Sequence, residues 1–83
     1  MKEITKNFGR FTVEMALHTE LDHVMWCYIC DEDDQVTLRK VAEGGGGYIT
    51  GAEIDMIEEV YSKGLIKPIL NWVSEYDSSH LLK

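Results

Sequence analysis

Cys27 and Cys30, three residues apart and preceded by His18 and His23, are the side chains of this sequence whose types could hold a metal. Zinc needs four such donors converging as a tetrahedron, and two Cys plus two His would be sufficient in number. The spacing argues against it. His23 to Cys30 reads as an extended strand, where positions three apart point to opposite faces, whereas C-x-x-C sites bind metal from a tight turn. The interval His18-x4-His23-x3-Cys27 also matches no common ligand pattern. A redox dithiol needs a helix N-terminus to depress its thiol pKa, and a strand supplies none. Cys27 and Cys30 are the only metal candidates, and the expectation is ordinary buried thiols with no metal and no cofactor.

The remaining chemistry is weaker still. Gly44-Gly45-Gly46-Gly47 leads into a helix pattern, as a phosphate cradle would, but the Lys and hydroxyl of G-x-x-x-x-G-K-[ST] are missing and Glu43 and Glu53 flank the run. A flexible connector is the expectation there. His18, His23 and His80 are scattered, and no Ser lies beside a His in a nucleophile motif. Carboxylate pairs abound, yet in so acidic a chain their proximity says nothing about acid–base roles. No catalytic residue is assigned, and the chain is not expected to be an enzyme.

Acidity is what sets the chain apart. Asp and Glu number 15 against 8 Lys and Arg in 83 residues, a net charge of −7. Such a charge repels DNA, RNA and anionic lipid, so neither direct nucleic-acid binding nor a membrane surface is expected. The acids do not form a detachable tail, because both halves of the chain carry an excess. Asp31, Glu32, Asp33 and Asp34 sit side by side between two apolar stretches, which reads as a hairpin tip. Asp55, Glu58 and Glu59 gather on one helix, where Asp55 and Glu59 are like charges at i,i+4 and only Lys63 offers Glu59 a partner.

These groups must be positioned by a small scaffold. Phe11, Val13, Met15 and Leu17 alternate with Thr12, Glu14 and Ala16, the signature of a half-buried strand, and Ile4 to Phe8 is as suited to a further strand as to a loop. Val24 to Cys30 is apolar on both parities and wants cover on both faces. Gln35 to Val41 then returns as another strand, with Val36 and Leu38 facing one way. Thr50-Gly51-Ala52-Glu53 matches a capping box, so a helix starts there with Ile54, Ile57 and Tyr61 as its apolar stripe, Met56 and Val60 beside them and Gly64 as its stop. Pro68 suits the first turn of a second helix with Ile69, Leu70, Trp72, Val73 and Tyr76 on its apolar side, and Asp77-Ser78-Ser79 suggests fraying beyond it. The expected fold is α+β, one domain over residues 1–83: a three- or four-stranded antiparallel meander followed by two short helices on one face, β-β-β-α-α.

That layout leaves an unpaid debt on the second sheet face, where either Trp26 and Tyr28 or Met25, Cys27 and Ile29 must lie. An apolar patch on an acidic domain suits a partner, with Trp and Tyr as its anchors, unless the Gly44 to Gly47 loop or the N-terminal segment folds over it. Two functions fit. One is stoichiometric binding to a larger protein, covering a basic, nucleic-acid-binding surface. Asp31, Glu32, Asp33, Asp34, Asp55, Glu58 and Glu59 would then supply the field, and Trp26 or Tyr28 the desolvated contact. In size and charge alone the chain resembles phage inhibitors such as anti-CRISPR proteins, nuclease immunity proteins and other DNA mimics; no motif identifies a family. The alternative is a structural or regulatory accessory domain that homodimerises through the apolar sheet face, its acidity serving solubility. The N-terminus lacks the apolar stretch of a signal peptide, and no run is long enough to span a bilayer, so a cytoplasmic protein is expected.

Overall fold

The alternation of β2 (Phe11–Leu17) builds one half of a hairpin, and β1 (Lys2–Phe8) supplies the other. Their two-residue turn, Gly9-Arg10, places Gly9 at φ 60°, the left-handed backbone that hairpin turns of this length require and that a side chain resists. A Cβ there would also come within 3.3 Å of Leu65. The chain continues into β3 (Val24–Cys30) and β4 (Gln35–Thr37), giving an antiparallel meander in the order β1-β2-β3-β4. Then follow α1 (Leu38–Ala42), α2 (Gly51–Ser62) and α3 (Ile66–Ser74), so the protein is α+β with four strands and helices after them. The computed structural model describes residues 2–18, 20, 23–43 and 50–76. The glycine connector 44–47, the fraying expected at 77–79 and His80 lie outside the described residues.

The core forms on one sheet face. Phe11, Val13, Met15, Cys27, Ile29 and Val36 bury themselves there against Leu38, Val41, Met56, Ile57, Val60, Ile69, Trp72 and Val73, and among the described residues no buried one is polar or charged. A bulge lets β3 add Val24 to this core. Leu17 pairs with Val24 while Ala16 pairs with Trp26, so Met25 is an extra residue and is left 44% exposed. Without that step Val24 would share the opposite face with Trp26.

Two sequence expectations need correction. The return strand stops at Thr37 instead of running to Val41, because the Thr37 hydroxyl accepts from the Lys40 N–H at 3.2 Å and caps α1. Leu38 and Val41 are buried from a helix, three residues apart on one side, and Arg39 sits on that helix and not on a sheet face. The stripe of α2 is also shifted: Met56, Ile57 and Val60 are buried, whereas Ile54 and Tyr61 are 42% and 43% exposed. Tyr61 is held by its hydroxyl, which donates to the Val41 carbonyl at 2.7 Å and so ties α2 to the end of α1.

The expected caps are present. Thr50 Oγ1 accepts from the Glu53 N–H at 3.1 Å while Glu53 Oε1 accepts from the Thr50 N–H at 3.3 Å. At the other end Gly64, at φ 66°, donates to the Tyr61 carbonyl and Leu65 to the Val60 carbonyl, the paired bonds of a Schellman stop. Pro68 falls in the first turn of α3, where its missing N–H costs no hydrogen bond. Among the described residues no helix is long and apolar enough to cross a membrane. Replacing Thr50 by Ala should cost about 1 kcal/mol of unfolding free energy. Gly64→Ala should cost about 1–2 kcal/mol, because it forces a side chain into the left-handed region. Urea titrations of both variants check these values.

Candidate functional site

The acidic tip is an ordered turn. Asp31 Oδ1 accepts from the Asp33 and Asp34 N–H groups at 2.9 and 2.8 Å, and the Asp31 N–H reaches the Asp34 carbonyl at 2.9 Å. Asp31 therefore shapes the hairpin, and Glu32, Asp33 and Asp34 project from it as exposed carboxylates. On α2, Asp55 and Glu58 are exposed and make no ion pair among the described residues, while Glu59 is half-buried.

A residue that the sequence did not single out joins these two groups. Arg10, in the turn between β1 and β2, donates from Nε to Glu59 Oε2 at 2.6 Å and from a terminal nitrogen to Glu59 Oε1 at 3.0 Å. Its other terminal nitrogen reaches Asp31 Oδ2 at 3.4 Å, and the guanidinium lies 4.3 Å from the Phe11 ring centroid. A planar fork can do this and an ammonium cannot. Lys63 adds a second cation on Glu59 at 3.2 Å. The tip is thereby drawn against α2, and Asp55, one turn before Glu59, continues the strip along the helix. Of the seven carboxylates proposed for partner contact, Arg10 thus brings Asp31 and Glu59 together and engages them internally, while Glu32, Asp33, Asp34, Asp55 and Glu58 are exposed.

The surroundings favour the charged form of the two braced carboxylates. The N–H groups of Asp34 and Asp33, then Arg10, hold the Asp31 carboxyl below the ordinary aspartate range, and the Arg10 hydrogen bond does the same for Glu59. Glu53 is likewise lowered, first by the Thr50 N–H and then by Lys40, whose Nζ lies 3.5 Å away.

The second candidate surface is the sheet face away from the core. Strand pairing places Glu3, Ala16 and Trp26 in one row, Thr5, Glu14, Tyr28 and Thr37 in the next, and Asn7, Thr12, Cys30 and Gln35 in the third. The open question about β3 is thereby answered: Trp26 and Tyr28 face outward, Cys27 and Ile29 inward. The two outward rings are half-buried and meet with centroids 5.6 Å apart at 49°, and Ala16 beside them is completely covered. None of the described helices packs on this face. Where β4 stops, the edge of β3 opens into a shallow groove of about 220 Å³ lined by Met25, Trp26, Cys27, Tyr28, Thr37, Leu38 and Arg39.

The metal candidates separate as strand geometry demands. Cys27 is in the core, where burial pushes its thiol up to about 12. Cys30 is on the outer face, where desolvation, then the nearby Glu14 carboxylate, pushes it up to about 11, and its Sγ donates to Glu14 at 3.6 Å. His18 and His23, scattered in the sequence, are brought together instead: their rings stack 5.6 Å apart and the His18 N–H donates to the His23 carbonyl. Among the described residues no group of three or more His, Cys, Asp or Glu could hold a metal ion. No protein family, curated protein or solved structure matches the chain, so the site rests on its own geometry.

Loss of the clamp has a pH signature. Carboxyls depressed on folding stabilise the protein above their unfolded pKa, and that contribution disappears as pH falls through the folded values. In Arg10→Met the larger, Arg10 part of the Glu59 contribution is lost and only the Lys63 part remains, so stability should decline less steeply than in the parent as pH falls below about 4. Urea midpoints measured from neutral to acid pH decide this, and parallel curves would contradict the clamp. Melting in a chelator should be unchanged. At mildly alkaline pH both thiols should react slowly with a thiol reagent, Cys30 before Cys27.

Proposed function

We propose that this protein acts by stoichiometric binding in the cytoplasm, covering the basic, nucleic-acid-binding surface of a larger protein. That is the mode of action of phage inhibitors, anti-CRISPR proteins, nuclease immunity proteins and DNA mimics. The observation that supports it most is the joining of two acidic clusters, far apart in sequence, into one strip by Arg10. Five of the seven carboxylates are exposed and make no ion pair among the described residues. A solubility role alone does not call for acids to be gathered and braced in this way, since dispersed charge serves solubility equally well.

The strip steers the partner in. Complementary charge of this kind raises association rates and selects against wrong partners more than it adds affinity. The desolvated contact then falls to Trp26 and Tyr28, residue types that dominate binding energy where they are half-buried and braced. On this reading the protein displaces nucleic acid from its target and has no reaction of its own.

Affinity capture from the native host or its prey, with and without competing DNA, tests the reading. The retained protein should be a nucleic-acid binder that competing DNA releases. The double variant Asp33→Lys, Asp34→Lys should lose at least tenfold in affinity at low salt, with a shallower dependence on salt concentration. Undiminished binding by that variant at low salt sinks the acidic-strip reading. A stable dimer in solution, lost on Trp26→Ser, would favour homodimerisation through the sheet face instead.

A further inference from the structure

The outer sheet face has a charge asymmetry that specifies what it can bind. Its side chains from the four strands include two carboxylates, Glu3 and Glu14, and no base. Glu14 stands directly opposite Tyr28, and Glu3 lies in the row of Ala16 and Trp26. The faces of Trp and Tyr rings carry negative potential, and carboxylates beside the pair add to the same field. Among the described residues, the basic side chain that lines the groove with the rings is Arg39, which follows β4 beyond the edge of β3. A ligand cation is therefore drawn toward β2 and away from that edge.

We propose that this face takes an arginine side chain of the partner, its guanidinium stacked on Trp26 and Tyr28 and turned toward Glu14; the proposal rests on the partner being basic, as inferred above. Arginine fits better than lysine because its planar, weakly hydrated head can stack on a ring and donate to a carboxylate at the same time. Cys30 braces the acceptor: its thiol donates to Glu14 Oε2 and holds that carboxylate on the face. A second copy of this chain is a poorer occupant. Four strands about 4.8 Å apart and seven residues of about 3.3 Å offer at most about 450 Å² per copy. A standard interface takes about 800 Å² from each partner. Two such faces would also set Glu3 and Glu14 against their own copies in molecules that each carry a net charge of −7.

The test is an NMR titration with a short alternating arginine–serine peptide, with a lysine–serine peptide as comparison. The Trp26 indole and Tyr28 ring signals should shift, more with arginine than with lysine, while the indole of Trp72, buried in the core, stays in place. Trp26→Leu and Glu14→Gln should each weaken the arginine peptide by about twofold to fivefold. Glu14→Gln keeps an acceptor for the Cys30 thiol, so it remains informative if Trp26→Leu fails to fold. Arg39→Glu should strengthen binding. If signals of Asp33, Asp34 and Asp55 move while Trp26 and Tyr28 stay still, and both variants bind as the parent does, the arginine site is wrong and the acidic strip stands. If nothing moves at low salt, both are wrong.

Discussion

The constraint on which this structure depends is that its described helices all pack on one face of the sheet. Phe11, Val13, Met15, Ile29 and Val36 line that face, and the buried residues of α1, α2 and α3 close over it with no buried polar or charged residue among those described. At about 25 cal/mol per Å² of apolar surface, this burial is the dominant favourable term in folding. Everything else follows from its one-sidedness. The bulge at Met25 brings Val24 into the covered layer, and Trp26 and Tyr28 pair with each other on the face that none of the described helices covers.

Charge is organised by the same economy. A chain with nearly twice as many acids as bases cannot pair them all, and three of its cations, Arg10, Lys40 and Lys63, hold the ion pairs seen among the described residues. Arg10 joins the first hairpin turn to the β3–β4 tip and to α2, Lys40 of α1 meets Glu53 of α2, and Lys63 returns along α2 to Glu59. Each pair is solvent-exposed, and such pairs add little to stability singly. Their effect is geometric: they decide which acids face inward to a cation and which remain for a partner. Edge protection follows similar lines, since Lys6 on the outermost strand lies over the Phe8 ring at 5.5 Å and keeps a charge on an edge that could otherwise pair with another chain.

Much of the fold was legible because its signals are local. The capping box at Thr50 and Glu53, the stop at Gly64 and the alternation of Phe11 to Leu17 each depend on residues within a few positions, and all three appear as read. Gln35 to Val41 was misread because its apolar positions Val36, Leu38 and Val41 serve a strand and a helix equally over so short a span, and the Thr37 cap that breaks the tie is a single hydroxyl. The α2 stripe was displaced by one position because Ile54 and Tyr61 are as apolar as the residues that replaced them; only contact with the sheet distinguishes them. Arg10 carried no signal at all. An isolated arginine in a turn says nothing of partners 21 and 49 residues away.

What the sequence by itself determined is the chemistry present and the local geometry: an acidic α+β chain, a tip at Asp31 to Asp34, caps, turns and a strand apolar on both parities. Cys27 and Cys30 could be separated without a structure, because three residues along a strand always change face. Tertiary structure alone decided which parity of β3 is covered, since that turns on a one-residue bulge set by pairing with β2. It alone also decided that Asp31 of one acidic cluster and Glu59 of the other meet at Arg10, because a fork of hydrogen bonds from Arg10 forms only once the chain has brought three distant segments within its reach.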